Sequence, residues 1–206
     1  MERRWRISGL ALALAAMALT APVPAEAQMY SAGFQFLKAV KDGDSDKVIE
    51  LIEKNSTTLV NSQDLTSGEA GLHILVRKRN VTWLRYLIQQ GANVNIADKK
   101  GVTPLVLATQ LGYVDGVDVL IKAHAKVDVA NSTGETPLIA AVHNRDVTLI
   151  RLLLKGGADP DRADSSGRSA RDYAVLAGGD QLVSEIEKNE KPKAQREGAK
   201  SYGPSI

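Results

Sequence analysis

The sequence predicts an all-α solenoid of about five stacked helix-turn-helix units. Two observations carry that prediction. Gly101-Val102-Thr103-Pro104-Leu105 recurs as Gly134-Glu135-Thr136-Pro137-Leu138, 33 residues later. Looser copies stand one period before, at Gly68 to His73, and one period after, at Gly167 to Ala170. Second, Leu87, Leu120, Leu153 and Ile186 share that period, as do Ala92, Ala125 and Ala158. A fixed period of this size marks units that bury their apolar faces only by stacking on one another.

The chain of 206 residues begins with Arg3, Arg4 and Arg6, followed by an apolar run over Ile7–Leu19. Pro22 and Pro24 interrupt it, and Ala25-Glu26-Ala27 has the small-x-small form of a cleavage site. Residues 1–27 are therefore expected to be a secretory signal peptide, cut before Gln28. The run is shorter than the ~20 residues of a comfortable span, so no stable membrane anchor is expected after cleavage. The signal takes three of the 26 basic and two of the 24 acidic residues, leaving a net charge of +1. So even a balance argues against bulk nucleic-acid binding. With no cysteine, an exported chain must rely on packing for stability.

Residues 31–66 form the first expected unit. Phe36, Leu37 and Val40, then Val48, Leu51 and Ile52, have helical spacing. Gly43 suits a left-handed helix end, and Asp44 or Ser45 a following N-cap. Ala39 to Gly43 repeats the spacing of Ala108 to Gly112, so this unit lacks its leading turn, as a terminal unit can. The step from Leu51 to Leu87 is three residues too long, which places an inserted loop in the polar stretch 55–66.

Units at 67–99, 100–132 and 133–165 follow one plan. Thr-Pro starts a short inner helix with proline in the first turn. A polar stop follows, at Leu111-Gly112-Tyr113 or Asn144-Arg145-Asp146, then a longer apolar helix closed by Gly-Ala. Ala70-Gly71 replaces Thr-Pro in the second unit. His124 replaces the glycine of Gly91 and Gly157, which implies modest backbone strain if that position needs a positive φ. Residues 166–188 make a closing unit whose Arg171-Asp172-Tyr173 suits a water-facing side. Residues 189–206 lack periodicity and are expected to be a disordered tail.

This pattern resembles the ankyrin repeat over about residues 34–188. Thr103-Pro104-Leu105, Thr136-Pro137-Leu138, His73, Gly91-Ala92-Asn93-Val94-Asn95 and Gly157-Ala158-Asp159-Pro160-Asp161 carry the resemblance. It implies an ankyrin-repeat solenoid of antiparallel helix pairs with protruding turns, and a histidine at position 73 that hydrogen-bonds neighbouring turns. It also implies a non-enzymatic protein–protein interaction module. Members of the family bind proteins on the concave surface formed by turn tips and inner-helix ends.

No catalytic or cofactor-binding constellation is expected. The three histidines fall in different units at different heights, which excludes a shared zinc site. Asp98, Asp128, Asp159, Asp161 and Asp164 fall in turns, where they satisfy backbone groups. Gly178-Gly179-Asp180 is a helix–helix turn, lacking the strand and lysine of a phosphate loop. Candidate binding residues are Lys99, Lys100, Val102, Glu135 and Arg168 at the tips, and Arg77, Lys78, Gln110, Leu111, His143 and Asn144 at the inner-helix ends. With Arg79, the cations make the N-terminal half of this face basic, which suits an acidic or mixed protein partner. The chain is expected to be monomeric and to act in the periplasm. A secreted effector that binds a host protein, or an accessory subunit of a periplasmic enzyme, are the competing readings.

Overall fold

A computed structural model describes residues 31–55 and 57–191. The expected signal segment and most of the expected tail lie outside the described residues. Within them run ten α-helices: α1 Ala32–Asp42, α2 Ser45–Asn55, α3 Gly71–Arg77, α4 Val81–Gln89, α5 Pro104–Gln110, α6 Val114–Lys122, α7 Pro137–His143, α8 Val147–Gly156, α9 Ala170–Leu176 and α10 Asp180–Asn189. Odd-numbered helices stack on one another as an inner layer, and from α4 onward the even-numbered helices stack as an outer layer. The chain is an all-α repeat solenoid.

Local chemistry sets the helix starts. Thr103 and Thr136 accept the amides of Val106 and Ile139, with Pro104 and Pro137 in the first turn. Ser169 is reinforced by Asp172, whose carboxylate accepts the Ser169 amide at 2.8 Å. Asp44 caps α2 by accepting the Lys47 amide at 3.0 Å, and Gly43 ends α1 with φ 80°. His124 adopts φ 63°, the strained conformation its register implies.

The second unit solves its weak start differently. Ala70 offers no capping side chain, so the His73 Nδ1 accepts the Ala70 amide at 3.1 Å. The other ring nitrogen donates to the Val102 carbonyl of the next unit at 2.9 Å. Gly71 is small because a Cβ there would press on Leu87 and Phe36. His73 is fully buried, and burial pushes its pKa below the ordinary 6.5.

Leu72, Leu105 and Leu138 of the inner helices meet Leu87, Leu120 and Leu153 of the outer ones in one continuous core. Two local expectations need correction. The stretch 55–66 is not simply an inserted polar loop. It contains a 3₁₀ helix, Thr57–Asn61, that buries Leu59 and Val60 against the first helix pair. Two apolar residues among polar ones are too few to show a period. At the other end, α10 takes in Asn189, and Glu190 accepts from Arg171 at 2.6 Å, so order runs past the polar start assigned to the tail.

Candidate interaction surface

Between successive helix pairs the chain projects as a finger. Each finger is built on one carboxylate or amide. Asp98 Oδ1 accepts the amides of Lys100 and Val102, at 2.8 and 2.9 Å. Asn131 does the same for Thr133 and Glu135, and Asp164 for Ser166 and Arg168. The fingers are then laddered: Lys99 donates to Ser67, Ser132 to Lys100 and Ser165 to Thr133 through main-chain bonds of 2.9–3.1 Å. The approach is close enough that a Cβ on Gly134 would lie 2.4 Å from the Ser165 nitrogen. Thus the fingers form a rigid row beside the inner-helix ends.

The expected site residues divide into two groups. The central ones come together. Glu135 Oε2 accepts from Gln110 at 2.8 Å and from Asn131 at 3.1 Å, while Oε1 lies 3.3 Å from His143 Nδ1. The His143 ring meets Tyr173 edge-on, with centroids 4.5 Å apart. Tyr173 donates to Asp164 at 2.7 Å, and with Ser166 it holds that carboxyl well below its ordinary value. One polar strip therefore crosses three units, from Gln110 to Asp164. Leu111 and Leu176 are exposed beside it, as is Val175, which the equivalent buried positions Val76, Thr109 and Val142 concealed. Arg168 is exposed at the last tip.

Most of the others lie at the N-terminal end of the face, where a basic surface is expected. Arg77 is neutralised by Glu69, whose Oε1 takes Nε at 2.9 Å and Nη2 at 2.7 Å. The Lys99 ammonium is tied to the Leu65 carbonyl, and the Arg79 guanidinium to the Leu111 carbonyl. Val102 is half-buried, and its carbonyl serves His73. Asn144 staples two units by donating to the carbonyls of Thr109 and Gln110. Lys78, Lys99 and Lys100 make no ion pair among the described residues of this cluster, whereas Arg77 does. Arg77 is thus paired, while Lys99 and Arg79 keep their charge and brace the framework through carbonyls.

Sequence reasoning missed Tyr173 and Tyr113. Tyr173 was assigned only to a water-facing end, yet it extends the strip. Tyr113 was placed in a polar stop, but it is buried over Gly116, under the Arg79 guanidinium.

A solenoid with laddered fingers beside stacked inner helices defines a repeat protein with one long exposed strip. Models described as ankyrin repeats match residues 36–131 and 120–174. The chain belongs to the ankyrin repeat family, whose arrays are protein–protein interaction modules. A potassium channel of Arabidopsis thaliana is 43% identical over 49 residues, covering 24% of this chain and 6% of the channel. An ankyrin repeat protein of fowlpox virus is 36% identical over 61 residues, covering 30% of this chain and 18% of that protein. Protein phosphatase 1 regulatory subunit 27 of Homo sapiens is 32% identical over 80 residues, covering 39% of this chain and 51% of the subunit. The chain thus spans about half or less of the length of these relatives.

Proposed function

We propose that the chain acts in the periplasm by binding another protein along the strip from Gln110 to Asp164, without catalysis of its own. The observation that carries this reading is the Gln110–Glu135–His143 cluster. It joins two units through exposed side chains that already hold one another in place. A pre-organised polar strip flanked by Leu111 and Leu176 loses little side-chain freedom on binding. The relative named as a regulatory subunit supports a role exerted through a bound partner. The periplasmic location rests on Arg3, Arg4 and Arg6, the apolar run and Ala25-Glu26-Ala27.

Fractionation of cells that carry the full-length gene tests the location. The protein is expected in the periplasmic fraction, shortened by about the length of the signal. Accumulation in the medium would favour the secreted-effector reading instead. For the surface, Gln110→Lys combined with Glu135→Lys should abolish recovery of the partner while leaving the helical circular dichroism unchanged. Recovery unaffected by the pair of changes would remove the strip from the account.

A further inference from the structure

At the N-terminal end of the same face lies a groove of about 620 Å³ between α1, α3 and the first finger. That volume falls within the roughly 300–1,000 Å³ of sites that hold ligands and side chains. Ser31 caps α1 directly, accepting the Phe34 amide at 3.2 Å. In the next interval the finger is drawn onto the inner helix by the His73 bond to the Val102 carbonyl. Here Leu37 stands in the register of His73 and offers no donor. Glu69 stands in the register of Val102 and is turned aside to Arg77. The groove opens between this finger and α1.

The groove is amphipathic. Phe34, Leu37 and Ile74 supply its apolar lining, and Phe34 is 39% exposed. Two of its three carboxylates are ion-paired. Asp42 holds Lys38 at 2.5 Å, and Glu69 holds Arg77 at 2.7 Å. Asp64 accepts the amides of Thr66 and Ser67 within its own turn. Lys41 and Lys78, by contrast, line the groove with no ion pair among the described residues. With Lys38 and Arg77 paired, Lys41 and Lys78 stand against Asp64 alone, which leaves a positive balance beside an apolar floor.

We propose that this groove binds an extended segment of a partner protein in which an apolar side chain is flanked by aspartate or glutamate. The apolar side chain enters against Phe34 and Ile74, and the carboxylates meet Lys41 and Lys78. This deepens the binding role proposed above and rests on it, while using a different part of the face.

Selection of short random peptides displayed on their own messenger RNA against the immobilised full chain tests the chemistry. The retained pool is expected to be enriched in acidic residues next to leucine, isoleucine or phenylalanine. Fluorescence anisotropy with the most enriched peptide, dye-labelled, should show at least an about tenfold loss of affinity for Lys41→Glu with Lys78→Glu. Phe34→Ser should give a comparable loss, and it carries the test if the double variant does not fold. Lys155→Glu, on an exposed outer-helix position, should change nothing. A pool without acidic enrichment, or one whose peptide binds the groove variants unchanged, overturns the proposal. A partner that still depends on Gln110 and Glu135 in that case leaves the strip standing and removes only the groove.

Discussion

The Glu135 carboxylate lies 3.3 Å from His143 Nδ1, in the register where Glu69 meets Arg77 at 2.7 Å two units earlier. In both, a finger residue is latched to the end of its own inner helix, eight positions on. The latch is an ion pair in the second unit and an imidazole–carboxylate contact in the fourth. The units between and after break it, with Val102 opposite Gln110 and Arg168 opposite Leu176. His143→Arg should make the fourth latch an ion pair as well. These side chains are partly exposed, so the gain is small, about 0.2–1 kcal/mol, in urea denaturation at pH 8. A less stable variant would show that the finger does not use this contact.

His73 should set a pH dependence of stability. Its folded pKa is depressed by burial, so below pH 6.5 the unfolded chain takes up a proton that the folded chain resists. Stability present above 6.5 is lost as pH falls from there toward the folded value. His73→Ala should remove this slope. It should also cost about 2–4 kcal/mol, since it empties a buried site, leaves the Ala70 amide without a partner and takes one of two donors from the Val102 carbonyl. Denaturation series at pH 7.5 and 5.5 on both proteins read the two effects separately.

Two glycines of positive φ should respond differently to alanine. Gly91, at φ 88°, has nothing within 4 Å of an added Cβ, so Gly91→Ala carries only the backbone penalty of about 1–2 kcal/mol. Gly134→Ala adds a clash with the main chain of the neighbouring finger and should cost at least about 3 kcal/mol. Equal losses in thermal or chemical denaturation would mean that the fingers are not packed as closely as described.

At the equivalent helix end, His124 bears the strain that glycine avoids. His124→Gly should stabilise the chain, by about 0.5–1 kcal/mol after the added freedom of the unfolded glycine is set against the relief. A destabilised variant would place some compensating contact on the imidazole.

The last helix pair should resist acid through Glu185. Arg151 grips its carboxylate at 2.5 and 2.8 Å, and Asn189 donates to it, lowering its pKa to about 2. A depressed carboxylate contributes stability above the unfolded value of 4.5 that disappears as pH falls through the folded one. Arg151→Ala should move the Glu185 titration, followed by carboxyl carbon NMR, back toward 4.5. An unmoved titration would assign the shift to groups other than Arg151.

The repeat was legible because Thr103-Pro104 and Gly91-Ala92 are dictated by backbone geometry, which every unit must satisfy. The position of the strip was legible for the same reason, since register alone puts Gln110, Glu135 and His143 on one side. Charge was not. Arg77 looks like a free surface cation in a list of residues, but Glu69 on the finger folds back and pairs with it. The sequence does hold a trace of this, in glutamate and a basic residue eight apart at Glu69–Arg77 and again at Glu135–His143. Arg79 and Arg145 hid their left-handed backbones, at φ 51° and 53°, although their register mates Gly112 and Gly178 signal that position. The same two arginines reach one unit forward to the carbonyls of Leu111 and Ala177, a use of side-chain length that no glycine can supply.

The central claim is that the strip of fingers and inner-helix ends is where a partner protein sits. Photo-cross-linking in living cells addresses it, with a light-activated amino acid placed at Gln110, at His143 or at outer-helix Lys155. A covalent adduct with one partner from both strip positions, and none from Lys155, is the predicted result. An adduct from Lys155 with none from Gln110 or His143 would contradict the account.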